Sequence, residues 1–195
     1  MTAEGHLLFA ISSAVFAKNA ALTPILARGD WWHILSAAVL SCLLPDIDHP
    51  KSFLGQRIPW LSHPIARAFG HRGFTHSLLA VFAALTLCYL KVPDSWLLPA
   101  DALQGLVLGY LSHIAADMLT PAGVPLLWPC RWRFRLPVIA PRGGNLIERC
   151  ISAALLAFAL WMPASLSEKG VIHWSTLAIA QLQVRFTHLI DTHSF

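Results

Sequence analysis

The chain has 195 residues, of which 56% are hydrophobic and 12% charged, and its net charge is +4. An average soluble domain carries about 25% charged residues, so too few polar side chains are present to cover a soluble surface of this size, and the mean hydropathy of +0.58 agrees. Nucleic-acid binding is disfavoured as well, because the 14 Lys and Arg residues are scattered among long apolar runs, a pattern that suits anionic lipid.

Six apolar runs without Asp, Glu, Lys or Arg are candidate helices: 5–17, 31–45, 73–90, 102–116, 150–167 and 170–184. A membrane-crossing helix needs about 20 mostly apolar residues, a length that 73–90 and 150–167 approach and the others reach only with their flanks. The expected fold class is therefore all-α, a multi-span transmembrane bundle of four to six helices forming a single membrane-embedded domain over 1–195.

In chain order, the first run opens with His6. The second ends in Leu44-Pro45-Asp46-Ile47-Asp48-His49-Pro50. The third begins in His71-Arg72-Gly73-Phe74-Thr75-His76-Ser77, and the fourth ends in Ser112-His113-Ile114-Ala115-Ala116-Asp117. The loop 51–72 carries Lys51, Arg57, Arg67 and Arg72, and the loop 121–149 carries Arg131, Arg133, Arg135, Arg142 and Arg149. The connection between the third and fourth runs holds Asp94 and Asp101, with Lys91 its one basic residue. The excess of positive charge on the cytoplasmic side then puts both Arg-rich loops in the cytoplasm and the 94–101 tip outside. Six helices bring both termini inside.

This orientation uses Lys and Arg alone, yet it gathers His6, Asp46, Asp48, His71, His76, His113 and Asp117 at one face of the bilayer. Ionisable groups in a membrane domain are expensive and mark function. His113 and Asp117 are four apart and share a helix face. Gly73 lets the chain turn, leaving His71 on a loop and His76 on the first helical turn. Asp46 and Asp48 follow a proline, where irregular backbone can turn both carboxylates to one side. Mixed imidazole and carboxylate ligands suit Zn first, with Mn or Fe as alternatives. The expected metal ligands are His6, Asp46, His76, His113 and Asp117. Asp48 and His71 are expected to serve catalysis, and Arg72 to bind a substrate phosphate.

Other features read as structural. Cys42, Cys88, Cys130 and Cys150 form no CxxC pair and are expected to be inert core thiols. His33 has no carboxylate in a ligand-like spacing. The stretch Pro125–Pro137 interleaves Arg with Trp; beside a membrane, that composition seats rings at the headgroups and guanidinium groups on lipid phosphates.

These motifs in this order resemble the YdjM family of bacterial inner-membrane-associated, metal-dependent hydrolases, named for LexA control of a member. The resemblance is carried by Gly5-His6, the Leu44–Pro50 segment, His71–Ser77, Gly109-Tyr110-Leu111-Ser112-His113 through Asp117 to Thr120, and Gly123–Pro129. It covers roughly residues 1–150. It implies a bacterial inner-membrane hydrolase of the SOS response, with phospholipid as the expected substrate. A fainter similarity is to zinc-dependent phospholipase C, which has an analogous His-x-x-x-Asp. The expected function is a metal-dependent hydrolase at the cytoplasmic interface, with membrane lipid as partner and no nucleic acid. The alternatives are a transporter or metal carrier, or an inert partner protein with a structural metal.

Overall fold

The computed structural model describes residues 2–91, 98–138 and 144–161. Among these it contains seven α-helices: α1 Ala3–Asn19, α2 Pro24–Arg28, α3 Trp31–Ser41, α4 Pro59–Phe69, α5 Leu78–Lys91, α6 Ala100–Met118 and α7 Gly144–Trp161. Two 3₁₀ turns, Pro45–Asp48 and Phe74–His76, interrupt the order, and an isolated antiparallel bridge joins Val124 to Phe134. No strand occurs among the described residues, so the all-α expectation holds. The expected run 170–184, the Asp94 tip, Arg142 and the C-terminus lie outside the described residues.

Local chemistry sets the helix starts. The side chain of Thr2 accepts from Gly5 N, that of Thr23 from Leu26 N ahead of Pro24, and that of Asp30 from Trp32 N. Helix α4 was not anticipated, because Pro59 and Pro64 make its sequence resemble a loop. Pro59 occupies the first turn, where a missing N–H costs nothing, and Pro64 sits inside the helix. No helix among the described residues is long and apolar enough to cross a membrane. The 31–45 run yields only the 11 residues of α3, and the 73–90 run becomes the 14 residues of α5, because the motifs at their ends fold as 3₁₀ turns.

The packing is built on small residues. Gly105 lies against Ile34, and Gly109 against Ala38 and Ser41: a Cβ on Gly109 would sit 2.1 Å from the Ala38 carbonyl oxygen. This Gly-x-x-x-Gly seam lets α3 and α6 run parallel with backbones in contact, the small-residue packing typical of membrane helices. Beside it, Ala14, Ala17, Leu26, Ile34 and Ala38 form the core. Helix α1 is antiparallel to α6, and polar bonds fasten it to α7. Thr2 N and Oγ1 donate to Glu148 (3.1 and 2.7 Å), Ser12 Oγ to the Ser152 carbonyl (2.9 Å), and Asn19 Nδ2 to the Ala159 carbonyl (2.9 Å).

Two structural expectations are corrected. Cys42 is buried, but Cys130 and Cys150 are exposed rather than core thiols. His33 does have a carboxylate partner: its Nδ1 lies 3.1 Å from Asp101 Oδ2, brought from α6 by the parallel packing.

The seam predicts that Gly109→Leu drives α3 from α6. The expected loss is about 1–3 kcal/mol of stability, read as thermal unfolding of the full chain in detergent. Leu40→Ala, on the outer face of α3, should stay within about 0.5 kcal/mol of wild type.

Candidate metal centre

The parallel register of α3 and α6 carries α3's C-terminal end to His113. There, His113 Nδ1 lies 2.6 Å from the Cys42 carbonyl oxygen. A carbonyl only accepts, so Nδ1 carries the proton, and in the neutral ring Nε2 presents its lone pair. His76, on the Phe74–His76 turn, is held the same way. Its Nδ1 faces Asp48 Oδ2 at 3.2 Å and Thr75 Oγ1 at 3.1 Å, while the Thr75 hydroxyl itself donates to Asp48 at 2.5 Å. Thr75 is fixed in turn by Tyr110, whose hydroxyl donates to the Thr75 carbonyl.

The two Nε2 atoms therefore meet at 3.3 Å. Asp46 Oδ1 lies 3.9 Å from His76 Nε2 and 3.7 Å from His113 Nε2, and Asp117 Oδ2 lies 3.5 and 3.9 Å from them. His76, His113 and Asp117 are buried, and Asp46 is partly exposed. Two imidazole nitrogens and two carboxylate oxygens thus lie close together. Burial lowers the pKa of the His76 ring, but hydrogen bonds to Asp117 and Asp48 outweigh it and push it up to about 9. The arrangement therefore favours positive charge there, either an imidazolium proton or a metal ion in its place. A tetrahedron with spokes of about 2.0–2.2 Å to N and O has edges of about 3.3–3.6 Å. The separations within His76–His113–Asp117, 3.3–3.9 Å, meet that range at their short end and exceed it slightly at their long end. These three residues therefore fit one ion after small side-chain adjustment, with Asp46 3.7 Å from His113 as a neighbouring carboxylate.

His6 adds a further potential ligand. Its ring stacks on His113 with centroids 3.7 Å apart, Nε2 lies 3.5 Å from Asp117 Oδ1, and the buried Nδ1 has no hydrogen-bond partner among the described residues. The potential ligand atoms form two overlapping groups, His76–His113–Asp117 and His6–Asp46–His113.

Asp48 and Asp46 stand on opposite edges of the His76 ring. Asp48 is buried, faces Nδ1, and accepts from Thr75 and from the Arg72 backbone N–H (2.9 Å). Its other oxygen lies 3.1 Å from Nδ1 of the half-exposed His71. Burial alone would raise the Asp48 carboxyl, but hydrogen bonds from His71, His76 and Thr75 outweigh it and hold the group well below the usual carboxylate range. The Arg72 guanidinium is engaged within the site, with one nitrogen 2.9 Å from Asp117 Oδ2 and another donating to Thr120 Oγ1 at 3.1 Å. Its backbone is left-handed at φ 55°, a conformation that costs a non-glycine residue on the order of 1 kcal/mol.

All eight side chains expected at the site are thus gathered in one place, including His76, which lies on a 3₁₀ turn rather than a helix. Sequence reasoning missed the Cys42 carbonyl and Tyr110. The first is a backbone group that no side-chain motif signals, and the second acts through another backbone carbonyl.

Comparison with known proteins places the chain in a family. The model of the YdjM inner membrane proteins matches residues 1–189. The chain belongs to the YdjM family. It is 70% identical over 190 residues to "Inner membrane protein YdjM" of Escherichia coli K12 and, to the same extent, of Shigella flexneri, covering 97% of each chain. It is 31% identical over 156 residues, 80% of this chain and 89% of the relative, to "Uncharacterized protein YvsG" of Bacillus subtilis. No solved structure matches. Family membership establishes a bacterial inner membrane protein.

The hydrogen bond to Cys42 predicts the tautomer of His113. Nitrogen-15 NMR of the imidazoles in detergent should show His113 protonated at Nδ1 and not at Nε2. A ring protonated at Nε2 alone would remove the convergence of lone pairs.

Proposed function

We propose that this protein is a multi-pass, metal-dependent hydrolase of the inner membrane. Its site would lie at the cytoplasmic interface and act on phospholipid or another phosphoester. The observation that carries this reading is the convergence of His76 Nε2, His113 Nε2, Asp46 Oδ1 and Asp117 Oδ2 on one point, with each imidazole oriented from behind by an acceptor. Such backing of a ligating histidine is the usual companion of metal binding, since it fixes the ring and raises its basicity.

His76, His113, Asp46 and Asp117 would hold the ion, with His6 beside Asp117 as a further ligand. Zn is favoured by two imidazoles with two carboxylates, and Mn or Fe are the alternatives. When bound, the ion supplies Lewis-acid polarisation of a phosphoryl oxygen and lowers the pKa of water. Arg72 positions Asp117 and offsets its charge. Asp48 orients His76 and also holds His71, which at 44% exposure can exchange protons with solvent and act as general acid or base.

The clustering of the ionisable groups at one end favours an enzyme over a transport path, which requires polar groups through the bilayer. Large apolar side chains on the outer faces of the helices support membrane embedding: Leu40, Phe82, Leu87, Leu160 and Trp161 are all more than 60% exposed.

Elemental analysis after loading with Zn or Mn tests the reading. Wild type should retain metal, and His76→Ala, His113→Ala and Asp117→Asn should lose it while remaining helical. Asp48→Asn should weaken metal affinity by roughly 10–100-fold. Loaded wild-type protein without metal would leave a hydrogen-bonded polar network in place of a metal centre.

Reporter fusions test the topology. Insertions at Lys51–Arg72 and at Arg131–Arg135 should report cytoplasmic, and insertions near Asp94 periplasmic. A periplasmic signal from Arg131–Arg135 would invert the orientation and move the site to the outer face.

A further inference from the structure

Helix α5 is the least supported of the long helices. Of its described side chains only Ala80 is buried, and Leu79, Phe82 and Leu87 are exposed. Between α5 and the α3–α6 pair lies an apolar cavity of about 180 Å³. Val81, Ala84 and Leu85 line it from α5, and Leu103, Leu106 and Val107 from α6. Ser41, Leu44 and Tyr110 close the end nearest the site.

That end shares a wall with the metal centre. Ser41 and Leu44 face the groove, whereas the Cys42 carbonyl between them holds His113 and Asp46 just beyond them faces His76. Asp46, at 21% exposure, is the most accessible of the four converging residues. Tyr110 lines the groove and bonds the carbonyl of Thr75, whose hydroxyl reaches Asp48. Positive charge lies at the same end. Leu78 N at the start of α5 bonds the Leu126 carbonyl, and Leu136 N bonds the Met118 carbonyl at the end of α6. These bonds seat the loop bearing the exposed Arg131, Arg133 and Arg135 beside the site.

We infer that the groove between α3, α5 and α6 holds one acyl chain of a phospholipid, with its anionic head group between the Asp46 opening and the Arg131–Arg135 loop. Three features select this occupant. The lining is apolar along its length, which accepts a hydrocarbon chain and rejects a hydrated one. The groove ends at a polar, cation-seeking site, as an amphiphile does. The adjoining loop supplies guanidinium groups that pair with a phosphate. The inference deepens the proposed function: the placement of the head group rests on the metal-centre reading, whereas the chain's seat rests on the groove alone.

Native mass spectrometry of the full chain, purified in mild detergent from dioleoyl-phosphatidylglycerol vesicles, tests the inference, with metal content measured on the same samples. Wild type should retain an acyl-bearing adduct, either the intact phospholipid or the diacylglycerol or phosphatidic acid that hydrolysis of its phosphoester leaves. Ala84→Trp and Val81→Trp, which fill the groove, should lose it while keeping their metal, and Phe82→Trp, outside the lining, should keep both. A diazirine-acyl phosphatidylglycerol, added at equimolar ratio to the unmodified protein, should label the peptides holding Val81–Leu85 and Leu103–Val107 in preference to α7. Absence of any acyl-bearing adduct in wild type, equal adducts in the groove-filling variants, a free fatty-acid mass, or preferential labelling of α7 would each overturn the inference. A groove-dependent adduct on protein that binds no metal would uphold the groove and remove the metal-dependent function.

Discussion

Two imidazole nitrogens facing each other at 3.3 Å are the constraint around which the rest of the molecule is arranged. Neither ring can relieve the contact by exchanging its proton between nitrogens, because the Cys42 carbonyl holds one Nδ1 and Asp48 the other. Two carboxylates approach the same point from separate elements. Like charges and lone pairs brought together in a buried place repel unless positive charge sits among them. The Arg72 guanidinium, 2.9 Å from Asp117, supplies part of it, and the surrounding structure must be stiff enough to hold the rest. Its stiffness comes from the glycine seam. Gly105 and Gly109 bring α6 into backbone contact with α3, and that contact carries the Cys42 carbonyl to His113. A wider helix pair would leave the imidazole free to turn.

The second layer separates the roles of two aspartates that look equivalent in the sequence. A 3₁₀ turn rotates successive residues by about 120°, so Asp46 and Asp48, two apart, cannot point the same way. One edge of His76 receives Asp46, and the other receives Asp48. The nearby Arg72 uses both its backbone and its side chain: its N–H reaches Asp48 and its guanidinium Asp117. One left-handed residue thereby ties together the carboxylate behind the imidazole and the carboxylate in front of it.

Much of the site was legible in the sequence because its signals are local or electrostatic. The four-residue spacing of His113 and Asp117 fixes a shared face, and the distribution of Arg and Lys alone brings the ionisable motifs to one end. The helical class followed from apolar runs, five of which lie wholly or in part within described helices. What was not legible is nonlocal or belongs to the backbone. The Cys42 carbonyl, the pairing of Thr2 with Glu148, and the docking of Asp101 on His33 depend on which helices are neighbours, and no spacing within one segment encodes that. Helix α4 was hidden by its two prolines. The different duties of Asp46 and Asp48 required the pitch of the turn, whereas the sequence shows only that a proline precedes them.

The shortness of the helices follows from the same site. An 11-residue helix such as α3 spans about 16 Å, well under the roughly 30 Å of a hydrocarbon core. The residues that would extend it are Pro45–Asp48, and they cannot remain helical while delivering one carboxylate to each edge of His76. Residues 71–77, which would extend α5 at its N-terminal end, are wrapped around Asp48 instead. Helix α6 reaches 19 residues, but its last turn carries His113 and Asp117, whose polarity lowers its apolar length. The motifs that assemble the centre are therefore the ones that interrupt the apolar runs. In this fold a longer, more uniform bundle would have no place for the cluster, and the irregular end of the bundle is the structural expression of whatever chemistry the cluster performs.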